Sequence, residues 1–164
     1  MAGKVIGKAM NFGWAGKITR DADMIIDSRI VSDAQGSTAI QFGAPVFLNT
    51  DNTVRNFLST DTTSAMLAGV AVSGVRQSVN YVTQDAAYLP ATQCDILTRG
   101  QVMVALPATY TTTPTAGAAV YIDATTGGFT PDATSNIATG YKFTTGLVDA
   151  NKMAEITILS KNVL

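Results

Sequence analysis

The sequence predicts an all-β fold: a small β-barrel or sandwich-like domain with an extended N-terminal arm and at most one short helix, near residues 60–68. Three observations predict it. The 164-residue chain holds 23 Thr, and the branched Cβ of Thr suits a pleated surface better than a helix. Glu155 is the only Glu, and charged residues are 14% of the chain, so long solvated helices lack their usual material. Turn signals recur at roughly ten-residue spacing, the rhythm of a sandwich or barrel. The length fits one domain, large enough to fold without a disulfide or a metal.

The elements follow in order. Residues 1–16 hold four glycines and little periodicity, which predicts an extended arm; residues 17–164 form the single β-rich domain, with a barrel-like part over about 94–164. Strands are expected at 18–20 and at 24–31, where β-branched residues gather. Thr38 to Phe42 alternates, Gly43-Ala44-Pro45 interrupts, and 46–48 resumes. Asn49 to Asn52 reads as a turn into 53–58. Over 59–68, Thr60 or Asp61 at the cap, the Ala65–Ala68 run and Gly69 as a stop favour a short helix. Val70-Ala71-Val72 reads as a buried strand. Residues 95–98 and 101–106 flank Arg99-Gly100, a hairpin candidate. The Thr- and Pro-rich stretch 107–116 is a loop, since proline cannot join a ladder. Strands are expected at 118–123, 129–130, 137–148 and 154–159, with Tyr141 and Phe143 on one face and Ile156 and Ile158 alternating with Glu155 and Thr157.

The chemistry is thin. Histidine is absent, which removes the commonest general base and metal ligand. Cys94 is the only cysteine, so no intrachain disulfide forms; it reads as a small buried hydrophobe, because Asp95 projects from the opposite face of the strand. Ala15-Gly-Lys-Ile18 lacks the first Gly and the Ser/Thr of a phosphate-cradling loop. Asp21, Asp23 and Asp27 cluster without the Gly turn and closing Glu of a calcium loop, and read as a solvated segment. The sequence therefore offers no catalytic residue, no cofactor-binding residue and no metal site, and the expected protein is not an enzyme. Its longest apolar run, 65–72, is far short of the ~20 residues a membrane helix needs, and no signal peptide is visible.

Charge is uneven. Lys4, Lys8, Lys17 and Arg20 give the first twenty residues +4, and the remaining seven basic and twelve acidic groups give −5, which sums to −1. Four spaced charges are too few for a nucleic-acid patch. Trp14, the only Trp, sits beside them and has two readings, a plug of the domain's own core or an anchor on a partner.

Four segments in order resemble one family. Phe12-Gly-Trp-Ala-Gly16 with Lys17-Ile-Thr-Arg20, Ile40-Gln-Phe-Gly43 with Pro45-Val46, Leu67-Ala-Gly-Val-Ala-Val72, and Asp95-Ile-Leu with Gly100-Gln-Val-Met-Val104 and Gly117-Ala-Ala-Val-Tyr121 are similar to segments of the cement, or decoration, proteins of tailed-bacteriophage capsids. The resemblance implies a small β-rich structural protein of the virion, made in the host cytoplasm and usually a homotrimer. It would bind the outer surface of the assembled head, bridge neighbouring major capsid proteins, and use no cofactor, nucleic acid or membrane. The basic Gly-rich arm then suits a segment that orders on the major capsid protein, with Lys4, Lys8, Asn11, Phe12, Trp14 and Lys17 as the capsid-binding candidates. Two other classes fit the architecture: a carbohydrate-binding surface or fibre module, weakened by the scattered aromatics, and a small enzyme using Asp chemistry.

Overall fold

The computed structural model describes residues 12–73 and 87–159, apart from the side chain of Asp21. The described residues contain eleven strands and no helix: β1 (Ile18–Ile30), β2 (Ile40–Gln41), β3 (Pro45–Leu48), β4 (Val54–Arg55), β5 (Leu67–Ala71), β6 (Ala87–Tyr88), β7 (Gln93–Ala105), β8 (Ala119–Ile122), β9 (Phe129–Thr130), β10 (Ile137–Val148) and β11 (Met153–Ile158). The all-β expectation holds. Nine strands make one curled antiparallel sheet in the order β4-β3-β5-β7-β11-β10-β8-β9, with β1 added to β7; β2 and β6 form a separate ladder.

Two differences from the sequence reading have local causes. The 95–106 hairpin does not form: β7 is one thirteen-residue strand through Arg99-Gly100. Gly100 takes φ +127, and the irregularity it accommodates lies on β1, where Arg20 pairs with Gln101 and Ile25 with Arg99. Five steps on β1 thus meet two on β7, a large bulge that re-aims the strand without ending it. The helix favoured over 59–68 is replaced by turns running into β5, with Asp61 N–H donating to the Leu58 carbonyl (2.8 Å) and Leu67 N–H to the Ser64 carbonyl (3.0 Å). Asp61 does not cap a helix because its carboxylate faces backwards, accepting two bonds from Arg55 (2.7 and 2.8 Å) and one from Leu58 N–H (2.8 Å).

The main core lies inside the curl, where Phe47, Leu67, Leu97, Val102, Val104, Ile122, Phe129, Phe143 and Ile156 are buried together. A second cluster, with Val31, Ile40, Val46, Cys94 and Ile96, sits where β1, β3 and β7 meet. The alternation expected of β10 and β11 is present: Tyr141, Phe143, Ile156 and Ile158 face inward.

Candidate functional site

The segment leading into β1 is locked to the sheet by its backbone. Gly16 N–H donates to the Met103 carbonyl (2.8 Å), and its carbonyl accepts from Ser73 N–H (3.1 Å). Met103 N–H in turn donates to the Lys17 carbonyl (2.9 Å). Gly16 adopts φ +81, and a Cβ there would lie 2.8 Å from Phe42 Cβ and 3.0 Å from Gly43 N. Gly43, at φ +78, faces it: a Cβ on Gly43 would lie 2.8 Å from both Ala15 Cβ and Gly16 N. Two glycines distant in sequence thus allow two backbones to touch, which no other residue permits.

This segment borders a cleft of about 530 Å³ lined by Phe12, Lys17, Thr19, Met103, Thr145, Leu147 and Glu155. Among the described residues its wall is mostly apolar, with one ammonium and one carboxylate. Phe12 is held by its N–H, which donates to Asp149 Oδ2 (3.0 Å). The other Asp149 oxygen accepts from Asn151 and Met153 N–H (2.9 and 2.8 Å), so one buried carboxylate shapes the β10–β11 turn and anchors the incoming chain. Glu155 accepts from the Thr19 hydroxyl (2.5 Å) and lies 3.7 Å from Arg20. Lys17 Nζ sits 5.4 Å above the Trp14 ring, in cation–π range. Trp14 is half-buried, and its Nε1 has no hydrogen-bond partner among the described residues. Leu147 is 62% exposed and Phe12 37%.

Of the residues singled out in the sequence, Phe12, Trp14 and Lys17 come together here; Lys4, Lys8 and Asn11 lie outside the described residues. The sequence does not single out Met103, Thr145, Leu147 or Glu155 as site residues. Period-two alternation from Tyr141 and Phe143 would turn Leu147 inward. It faces out because Phe143 pairs with Ile156 and Val148 with Ala154, so five steps on β10 meet two on β11. Gly146 takes φ +71 inside this bulge, against the backbone of Thr115. Glu155 carried a signal, as the one Glu in the chain.

Elsewhere the polar groups have structural work. Cys94 is fully buried, and burial, with the Asp95 charge, pushes its thiol up to about 12. Asp23 accepts from Arg99 (2.8 and 2.9 Å), and Arg29 donates to Asn52. Asp132 accepts from the N–H groups of Thr111 and Thr112 and from the Thr111 hydroxyl (2.6–3.1 Å), which pins the 107–116 loop. Those bonds, the Thr111 N–H first, outweigh desolvation and hold its carboxyl down to about 2.

Comparison with known proteins gives a family and a shared fold. The family model described as "Structural cement protein (E217 gp24/Pam3 gp6)" matches residues 3–159. A chain from the solved capsid of Myoviridae phage XM1 shares the fold at a TM-score of 0.71 and 16% identity, over 97% of this chain and 98% of that one. No curated protein matches the sequence.

Proposed function

Because this chain belongs to the structural cement protein family of phage capsids, we propose that it is a non-enzymatic homotrimer that binds the outside of the assembled head and bridges neighbouring major capsid proteins. The observation that carries the reading is the family match over residues 3–159. The Phe12–Leu147 cleft supports it: apolar side chains stand exposed beside Trp14 and Lys17, on backbone fixed by three hydrogen bonds. Rigid apolar anchors with a charged rim suit a protein partner. Capsid side chains seated in this cleft, with Phe12, Trp14 and Lys17 at its border, form the docking contact.

Cement acts by linkage. A ligand that binds the assembled shell and not its free subunits stabilises the shell by RT ln(1 + [L]/Kd) per site. A trimer that touches several subunits at once adds avidity.

The test is co-sedimentation of the purified protein with heads that lack it, followed by heating. Bound protein and a raised temperature of genome release are expected. Leu147→Asp, which places a charge on the exposed cleft wall, should weaken binding at least tenfold while leaving the fold intact. Absence of binding at micromolar concentration sinks the reading; full-strength binding by the variant moves the contact off the cleft.

A further inference from the structure

The Phe12–Leu147 cleft holds one charge that the fold leaves unmatched. Among the described residues the ion pairs are Arg20–Glu155, Arg55–Asp61 and Arg99–Asp23, and Lys17 Nζ has no carboxylate within 4.0 Å. Its neighbour is the Trp14 ring, 5.4 Å from Nζ to centroid, which attracts the ammonium without neutralising it. The carboxylates nearby are already engaged. Glu155 accepts from the Thr19 hydroxyl (2.5 Å), lies 3.7 Å from Arg20, and keeps only 12% of its side chain exposed. Asp149 is buried, with both oxygens bonded to backbone N–H groups. Beside Lys17 the wall is apolar, and Phe12 and Leu147 stand exposed on it.

We infer that the occupant of this cleft is a short extended segment of the major capsid protein in which an Asp or Glu lies within two residues of a large apolar side chain. The inference rests on the capsid-binding reading above and adds the chemistry of the partner. The apolar side chain covers Phe12, Met103 and Leu147, and the carboxylate pairs with Lys17. Size sets the spacing. A rounded space of 530 Å³ is about 10 Å across, and extended chain rises about 3.3 Å per residue, so about three residues fit. Two side chains that enter together are then no more than two positions apart.

Charge sets the partner's sign. Covering Phe12 and Leu147 removes apolar surface from water and is favourable. The same contact takes Lys17 out of water, and a desolvated ammonium is costly unless an anion comes with it. A purely apolar segment would leave that cost unmet. A phosphate-rich ligand suits the cleft less well: such ligands are gripped by several cations or a bidentate Arg, and here one ammonium faces an apolar wall. A carboxylate beside an apolar side chain matches both halves of the surface.

The test uses the full chain and heads that lack it. Lys17→Gln should bind about two- to fivefold more weakly at low salt, and more if a trimer repeats the contact, while Lys17→Arg keeps wild-type affinity. The gap between Lys17→Gln and wild type should narrow at about 0.5 M NaCl, where exposed charges are screened. Zero-length carbodiimide coupling of decorated heads, read by mass spectrometry, should join Lys17 to an Asp or Glu of the major capsid protein with a large apolar residue within two positions. Wild-type affinity and salt dependence in Lys17→Gln overturn the inference and leave capsid binding in place. Equal losses in Lys17→Arg and Lys17→Gln overturn it too, since the side chain then acts by packing and not by charge. Coupling of Lys17 to this chain or to a second copy, or no coupling, overturns the assigned partner. Wild-type protein that binds no heads sinks the capsid-binding reading itself, and the inference with it.

Discussion

At the scale of single residues, Gly16, Gly43 and Gly69 of the family-like segments are spatial requirements. Gly69 is the tightest: a Cβ there would lie 2.3 Å from the Leu97 carbonyl oxygen and 2.8 Å from Ile96 Cγ2. β5 can approach β7 at this point only without a side chain. Gly69→Ala should therefore push the two strands apart and cost about 1–3 kcal/mol or more, as overpacking does; urea unfolding with an unchanged slope would measure it. Cys94 gives a prediction of opposite character. A thiol with no exposure and a pKa raised to about 12 carries almost no thiolate at neutral pH. Ellman's reagent should leave it untouched in the folded protein and react at the rate of unfolding; prompt reaction would mean that the second core opens readily. These packing roles were hidden in the sequence, where Gly69 reads as a helix stop and Gly43 as a strand interruption. The burial of Cys94 was legible, because a lone cysteine in an alternating strand has little else to do.

At the scale of elements, two carboxylates hold loops that no ladder holds. Burial alone would raise the Asp61 pKa, but the Arg55 and Leu58 hydrogen bonds and the Arg55 charge outweigh it and leave it below the ordinary value of 3.8. Asp132 is depressed to about 2 by the Thr111 and Thr112 bonds. A depressed folded pKa means that stability is present above the unfolded value, near pH 4, and is lost as the pH falls through the folded value. Acid should thus release the 107–116 loop between about pH 4 and pH 2. Protection of the Thr111 and Thr112 amides, relative to intrinsic exchange at each pH, should fall over that window, and Asp132→Ala should show the lowered protection already at pH 7. Strand positions were largely legible from alternation and β-branching. Bulges were not, since the register shifts on β1 and β10 come from what lies opposite them. For that reason β7 reads as a hairpin in sequence and is one strand in the fold, and Leu147 reads as inward and faces solvent.

At the scale of the whole molecule, the proposed homotrimer has a direct measurement. Sedimentation equilibrium at micromolar concentration should give three times the 17.1 kDa chain mass. A single 17.1 kDa species would count against a trimer in free solution and leave only trimerisation on the capsid. The sequence by itself determined the class of the protein: a neutral, Thr-rich, β-rich chain without histidine, whose ordered Gly-bearing segments resemble capsid cement. Such properties are local, set by propensity, composition and short motifs, and survive without knowledge of what touches what. Which residues join Phe12 and Lys17 in the candidate site was decided by tertiary structure. Phe12, Thr19, Met103, Leu147 and Glu155 meet because β7 carries the incoming segment on one side, and a bulge in β10 turns Leu147 to the same cleft. Contacts between residues more than a hundred positions apart follow from sheet curl and register, which depend on every strand at once.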